Sequence, residues 1–127
     1  MILLDANYLI AAPQPGSPEF AAIAHWQRSG ELLSTAAVAW TEFLSGPIHP
    51  DDEADVRALL RAGIFDLNVA CATTAAQLFN ATGRKRSLRV DAMIAATAIE
   101  HQARLASRNL EDFRLFVPHG LMLATAG

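Results

Sequence analysis

Short apolar runs alternate with stretches of helical spacing along the whole chain. Met1 to Leu4 is an extended apolar opening that stops at Asp5-Ala6-Asn7, after which Tyr8-Leu9-Ile10 resumes the apolar content. This predicts a buried first strand ending near Asp5, then a tight transition in which Asn7 hydrogen-bonds to backbone. Pro13, Pro15, Gly16, Ser17 and Pro18 predict an exposed loop. Glu19 to Arg28 resumes as a helix, with Phe20, Ile23 and Ala24 on one face and His25 near its edge, and Gly30 ends it.

Leu32-Leu33-Ser34-Thr35 predicts a short strand, and Thr35 is placed to cap a helix from about Ala36 to Leu44 that Gly46-Pro47 terminates. After Pro50, the acidic start Asp51-Asp52-Glu53 complements a helix N-terminus; Val56, Leu59 and Leu60 carry the helical spacing and Gly63 closes it. Phe65 to Val69 alternates as a strand does, Thr73 to Ala81 is spaced as a helix before Gly83, and Leu88 to Ala103 forms the longest helix. Leu105-Ala106 predicts a buried strand entering Ser107-Arg108-Asn109, and Leu121 to Leu123 a closing strand. Strands alternating with helices imply an α/β fold with a small, mainly parallel central sheet flanked by helices.

Composition narrows this picture. The chain has 127 residues, of which 52% are hydrophobic, enough for a single domain over residues 1–127 and too apolar for a disordered chain. The longest apolar runs, such as Met93 to Ile99, fall short of the ~20 residues a bilayer span needs. No basic, apolar leader opens the sequence, and Cys71 is the single cysteine, so the expectation is an intracellular, cytoplasmic protein without membrane association. Cys71 itself is read as a small core or helix-start residue. Ten Lys and Arg against thirteen Asp and Glu give a formal charge of −3, which argues against a nonspecific nucleic-acid coat. A local basic track does exist in Arg84, Lys85 and Arg86, with Arg89 close behind and Arg108 further on. Its alternative is a solvated loop and helix start.

Several polar groups interrupt apolar elements. Asp5 follows a run that looks fully buried, where an unpaired carboxylate is costly; a bound cation or a dense hydrogen-bond shell removes that cost, and a loop-capping Asp is the alternative. Glu42 shares the helix side of Val38 and Ala39, either as a functional acid or as a partly buried Glu paired with an arginine. Asp91 has Ile94 and Ala95 as its i+3 and i+4 neighbours and so points to the sheet-facing side of the first turn of its helix. After the late strand, Asn109 can coordinate through its amide oxygen or orient a water, with Asp112 nearby; either can instead cap the turn that follows. Hard oxygen donors suit Mg²⁺ or Mn²⁺, and the Cys/His clustering of a structural zinc site is missing.

Four segments in order, Ile2-Leu3-Leu4-Asp5-Ala6-Asn7-Tyr8-Leu9-Ile10, the helix containing Glu42, Val90-Asp91-Ala92-Met93-Ile94-Ala95-Ala96-Thr97-Ala98, and Ala106-Ser107-Arg108-Asn109-Leu110-Glu111-Asp112-Phe113, carry a family resemblance. Over nearly its whole length the chain resembles the PIN-domain ribonucleases, most of all the VapC toxin of VapBC toxin–antitoxin systems. The resemblance implies a three-layer PIN-like fold and a divalent-metal-dependent endoribonuclease leaving 5′-phosphate and 3′-hydroxyl ends. It implies Asp5, Glu42 and Asp91 as the central acids and metal ligands, with Asn109 at a fourth catalytic position where many relatives carry Asp. Asn7, Ser107 and Asp112 fall at auxiliary positions, Ser107 where Thr is commoner. Arg84, Lys85, Arg86, Arg89 and Arg108 are the candidate RNA contacts.

The resemblance also implies a cognate antitoxin and a homodimer, with Phe20, Trp26, Phe43, Val56, Leu59 and Leu60 as the candidate surface; the same residues would otherwise close the monomer core. Trp26 and Trp40 are read as packing residues, and His25, His49, His101 and His119 form no catalytic arrangement. A phosphomonoesterase with Asp5 as nucleophile would want a second Asp where Asn7 stands. The remaining alternative is a noncatalytic RNA-binding or protein-interaction module that retains the fold.

Overall fold

In a computed structural model, which describes residues 1–125, the chain folds around a five-stranded sheet with strand order β3-β2-β1-β4-β5 and all neighbours parallel. The strands are β1 (Ile2–Leu4), β2 (Leu33–Ala36), β3 (Gly63–Phe65), β4 (Arg104–Ala106) and β5 (Met122–Leu123). The helices are α1 (Ala6–Ala11), α2 (Pro18–Arg28), α3 (Ala37–Leu44), α4 (Pro50–Leu59), α5 (Val69–Ala81), α6 (Arg89–Glu100) and α7 (Leu110–Phe113), with 3-10 turns at Arg86–Leu88 and Arg114–His119. No helix among the described residues is long and apolar enough to cross a membrane.

Period-2 alternation on the central strands sorts the core into two halves. Leu3 and Leu105 point to a cluster with Ala75 and Leu78 of α5, Ala92, Ile94, Ala95 and Ala98 of α6, and Phe113 and Phe116. Ile2, Leu4 and Ala106 point the other way, to Leu9 of α1, Ile23 and Trp26 of α2, Trp40 and Phe43 of α3, and Val56 of α4. Both faces of β1 are thus covered, and this explains its unbroken apolar sequence. The result is the expected three-layer arrangement of helices, parallel sheet and helices.

Several local expectations change. The helix expected over Leu88 to Ala103 as the longest runs Arg89–Glu100, ending before Gln102 with its positive φ of 55°, and α5 at 13 residues is one longer than its 12. Asp5-Ala6-Asn7 opens α1 rather than a bare turn, because the Asp5 carboxylate accepts the Ala6 N–H at 2.8 Å and caps the helix. Thr35 does not cap α3; it lies inside β2 and its hydroxyl donates to the Leu4 carbonyl at 2.6 Å, tying β2 to β1. The third strand is Gly63–Phe65 instead of 65–69, because Asn68 accepts the Cys71 N–H at 2.9 Å and starts α5 at Val69. Cys71 is the buried helix-start residue it was read to be. On α2 the buried face is Glu19, Ala22, Ile23 and Trp26, at i, i+3, i+4 and i+7, while Phe20 is 40% exposed.

The candidate partner surface is also revised. Trp26, Phe43, Val56 and Leu60 are buried in the second core half and Leu59 packs against it, so of that set only Phe20 offers an exposed apolar side chain.

Candidate active site

In a parallel sheet every strand's carboxyl end lies on the same edge, and loops leaving that edge collect functional groups. β1 and β4 are neighbours with Leu4 opposite Ala106, so Asp5 and Ser107 leave the sheet side by side. The Asp5 N–H donates to the Ala106 carbonyl at 2.9 Å, extending the ladder by one bond. α3 leaves the same edge after β2 and carries Glu42 on its second turn. α6 runs back toward the amino edge before β4, so its first turn, with Asp91, also lies at the carboxyl edge.

Asp5 is buried at 6% exposure and held on both oxygens. Its Oδ1 caps α1; its Oδ2 accepts the Ser107 hydroxyl at 2.7 Å and the Asn7 amide at 3.5 Å. The alternatives weighed for this residue therefore coexist: it is a helix cap and it has a hydrogen-bond shell. Burial still outweighs those bonds, and the Asp5 pKa lies above the ordinary carboxylate value.

The segment after β4 is laced to this group. Ser107 Oγ accepts the Asn109 N–H at 2.9 Å and the Asn7 amide at 3.4 Å, and Asn7 Oδ1 accepts the Arg108 N–H at 3.2 Å. Although Asn109 stands at the start of α7, its side chain makes no cap; its amide donates to Asp91 at 3.3 Å and to Asp112 at 3.1 Å. Asn109 thus bridges two of the candidate acids.

Asp91 is half-buried, and its pKa is pushed up to about 6, first by burial and then by the charges of Asp5, Asp112 and Glu42. Glu42 is exposed, contrary to the burial expected from its helix side, because the buried stripe of α3 is Ala39, Trp40 and Phe43 and Glu42 lies off it. Partial desolvation, and after it the Asp5 charge, nonetheless raises its pKa. No ion pair among the described residues joins Glu42 to an arginine. Asp5, Glu42, Asp91 and Asp112 thus form one electrostatic neighbourhood of like charge. Among the described residues, however, no three His, Cys, Asp or Glu side chains come together as a group that could by itself hold a metal ion.

The basic candidates separate. Arg84, Lys85 and Arg86 are exposed between α5 and α6; Arg84 has a positive φ of 58° and donates through Nε to Asn80. Arg89 lies over the Phe79 ring, 5.1 Å from its centroid, beside an apolar groove between α5 and α6 lined by Leu67, Ala72, Ala76 and Met93. Arg108 is engaged by an acid that sequence reasoning passed over: its Nε donates to Oε1 of Glu19, a residue 4% exposed on α2. The signal for Glu19 was its place on the same helical stripe as Ala22, Ile23 and Trp26.

Comparison with curated protein sequences finds no significant match. Solved structures do match. FitAcB from Neisseria gonorrhoeae superposes with a TM-score of 0.73 at 23% identity, covering 99% of this chain and 98% of that one. VapBC2 from Rickettsia felis, solved bound to a DNA fragment from its promoter, gives 0.72 at 17% identity over 98% of each chain. A toxin–antitoxin complex from Klebsiella pneumoniae gives 0.70 at 25% identity, covering 89% of this chain and 90% of that one. The family model for the PIN domain matches residues 2–115, nearly the whole sheet and every helix described above, and the chain belongs to the PIN-domain family.

Proposed function

We propose that this chain is a divalent-metal-dependent endoribonuclease and the toxin of a toxin–antitoxin pair. The observation that carries the reading is the concentration of like-charged carboxylates at the carboxyl edge of the sheet, with Asp91 pushed up to about 6 and Arg108, in the loop beside them, paired to Glu19 instead. Negative charge gathered in this way calls for a cation. The donors are hard oxygens, as Mg²⁺ or Mn²⁺ prefers, and Mg²⁺ is commonly held by one or two carboxylates and several waters rather than by an all-protein cage. Asp5 and Asp91 would hold the ion, with Glu42 reaching it directly or through water. Such an ion supplies a water of lowered pKa and offsets charge building on the phosphoryl oxygens.

The remaining roles belong to the chain. Ser107 and Asn7 fix the orientation of the Asp5 carboxylate, and Asn109 bridges Asp91 and Asp112, its amide donors damping their repulsion. Glu42, solvent-exposed and with a raised pKa, would bind such an ion or position its water. Arg84, Lys85 and Arg86 are the proposed phosphate contacts; Arg89 and Arg108 rank behind them because Phe79 and Glu19 engage them.

An antitoxin partner is proposed from the likeness to proteins described as toxin–antitoxin complexes. A homodimer is proposed on family grounds alone, through a surface other than the buried set around Trp26 and Phe43.

Incubation of the purified protein with a panel of structured and single-stranded RNAs, with Mg²⁺ or Mn²⁺ and with chelator, tests the reading. Metal-dependent cleavage to 5′-phosphate and 3′-hydroxyl ends is expected, falling about 100-fold or more in Asp5→Asn. RNA binding without cleavage across the panel would favour the noncatalytic module instead.

A further inference from the structure

The loop after β4 reaches two sides of the acidic cleft: Ser107 touches Asp5, and Asn109 touches Asp91 and Asp112. Between them, Arg108 turns its side chain away from the acids and onto Glu19 of α2. The placement of Glu19 is unusual. Its side chain is buried on an otherwise apolar helical stripe, and its second oxygen, Oε2, has no hydrogen-bond partner among the described residues. A carboxylate in that position costs more than the Leu or Ala that would pack there as well.

The contacts around Glu19 close into a ring. α1 begins at Asp5 and ends at Ala11, whose carbonyl accepts the Ser17 hydroxyl at 3.1 Å. Ser17 in turn caps α2 by accepting the Phe20 N–H at 3.0 Å, which fixes the first turn that carries Glu19. Glu19 grips Arg108, the neighbour of Ser107, and Ser107 returns to Asp5. A loop tied at both ends of such a circuit cannot slide without breaking the 2.7 Å bond on Asp5.

We propose that Glu19 is a positioning residue: by holding Arg108 it sets the Ser107-Arg108-Asn109 backbone, so that Ser107 and Asn109 meet the acids in their working geometry. The inference deepens the ribonuclease reading and rests on it for its effect on turnover. Its structural half, that Glu19 controls the placement of Asn109, stands apart from catalysis.

The test compares Glu19→Gln, Arg108→Met and the double variant with wild type, each first shown to be folded by circular dichroism. Arg108→Met alters an exposed side chain and serves in place of the buried substitution if the latter does not fold. In Glu19→Gln, kcat on RNA with Mg²⁺ should fall about tenfold while KM stays within about twofold, the pattern of a misplaced supporting shell. In the metal-free protein the side-chain amide ¹⁵N signals of Asn109 and Asn7 should shift, and the double variant should be no worse than the worse single one, since one contact is lost either way.

Unchanged kcat, or a rise in kcat/KM on Glu19→Gln, overturns the proposal; the rise would mean that Glu19 merely restrains Arg108 from binding phosphate. Additive effects in the double variant, or unmoved amide signals, overturn it too. If the wild type cleaves no RNA, the ribonuclease reading fails, and the amide shifts with their coupling still decide whether Glu19 positions the loop.

Discussion

Two carboxylates in this chain are perturbed in opposite senses. Glu19 is held below the ordinary glutamate value by its bond to Arg108, so its contribution to stability is present at neutral pH and is lost as pH falls through about 4.5 and below. Asp91 is pushed up to about 6 from 3.8, so the folded protein binds that proton more tightly than the unfolded chain does. Its penalty is absent below about pH 4 and grows as pH rises to about 6; reduced by the solvent that reaches a half-buried group, it is on the order of 1 kcal/mol above that. In chelator at pH 7.5, Asp91→Asn should therefore be more stable than wild type by about 1 kcal/mol in urea denaturation, with a flatter pH profile, while cleavage is lost. A destabilised or unchanged Asp91→Asn would show that the acid is not under electrostatic stress.

Asp5 and Asp91 stood out in the sequence because each is a charge set against an apolar element where it needs a reason, and Asn109 because it lies in a polar bend after a buried strand at a position the family resemblance marks. Glu19 did not, because a Glu just after Pro18 looks like an ordinary first-turn acid and its partner lies 89 positions away.

At the level of elements, the sequence is readable where burial and periodicity agree. β1 and β4 are apolar because both faces are covered, and the body of α6 shows its packing face as Ile94, Ala95 and Ala98. The errors sit at boundaries, where single side chains decide. Asn68 falls within the alternating stretch 65–69, yet its side chain ends the extended segment and caps α5; Asp5 does the same for α1. Asn68→Ala should cost about 1 kcal/mol of stability through the freed Cys71 N–H, with kcat unchanged because α5 carries none of the acids. Chemical denaturation beside an RNA-cleavage assay checks both halves of that expectation.

For the whole molecule, alternation of strands and helices was enough to give an α/β fold on a parallel sheet, and the family resemblance added the three layers, whereas the surface could not be separated from the core. Trp26 and Phe43 have the composition of an interface but close the space between the sheet and α2, α3 and α4. Divalent ions bound at the carboxyl edge would couple to global stability, since the unfolded chain has no assembled site. Mg²⁺ or Mn²⁺ at about 100 times its Kd should stabilise the fold by about 2.7 kcal/mol and raise Tm by several degrees at pH 7.5. The increment should shrink at pH 5, where Asp91 keeps its proton, and vanish in Asp5→Asn. A metal-independent Tm would argue against the ion site.

The pairing of β1 with β4 has a consequence in time. Leu4 waits for Ala106, and Asp5 for Ser107, across about a hundred positions of chain. At ribosomal rates of about 5–20 residues per second, roughly 5–20 s separate the synthesis of the two halves of this centre. Throughout that interval the nascent chain carries Asp5 without its Ser107 partner, and every fragment that stops short of β4 lacks the hydrogen bond that orients that carboxylate. The order of elements thus acts as a built-in delay, joining the two halves of the cleft only once β4 has been made.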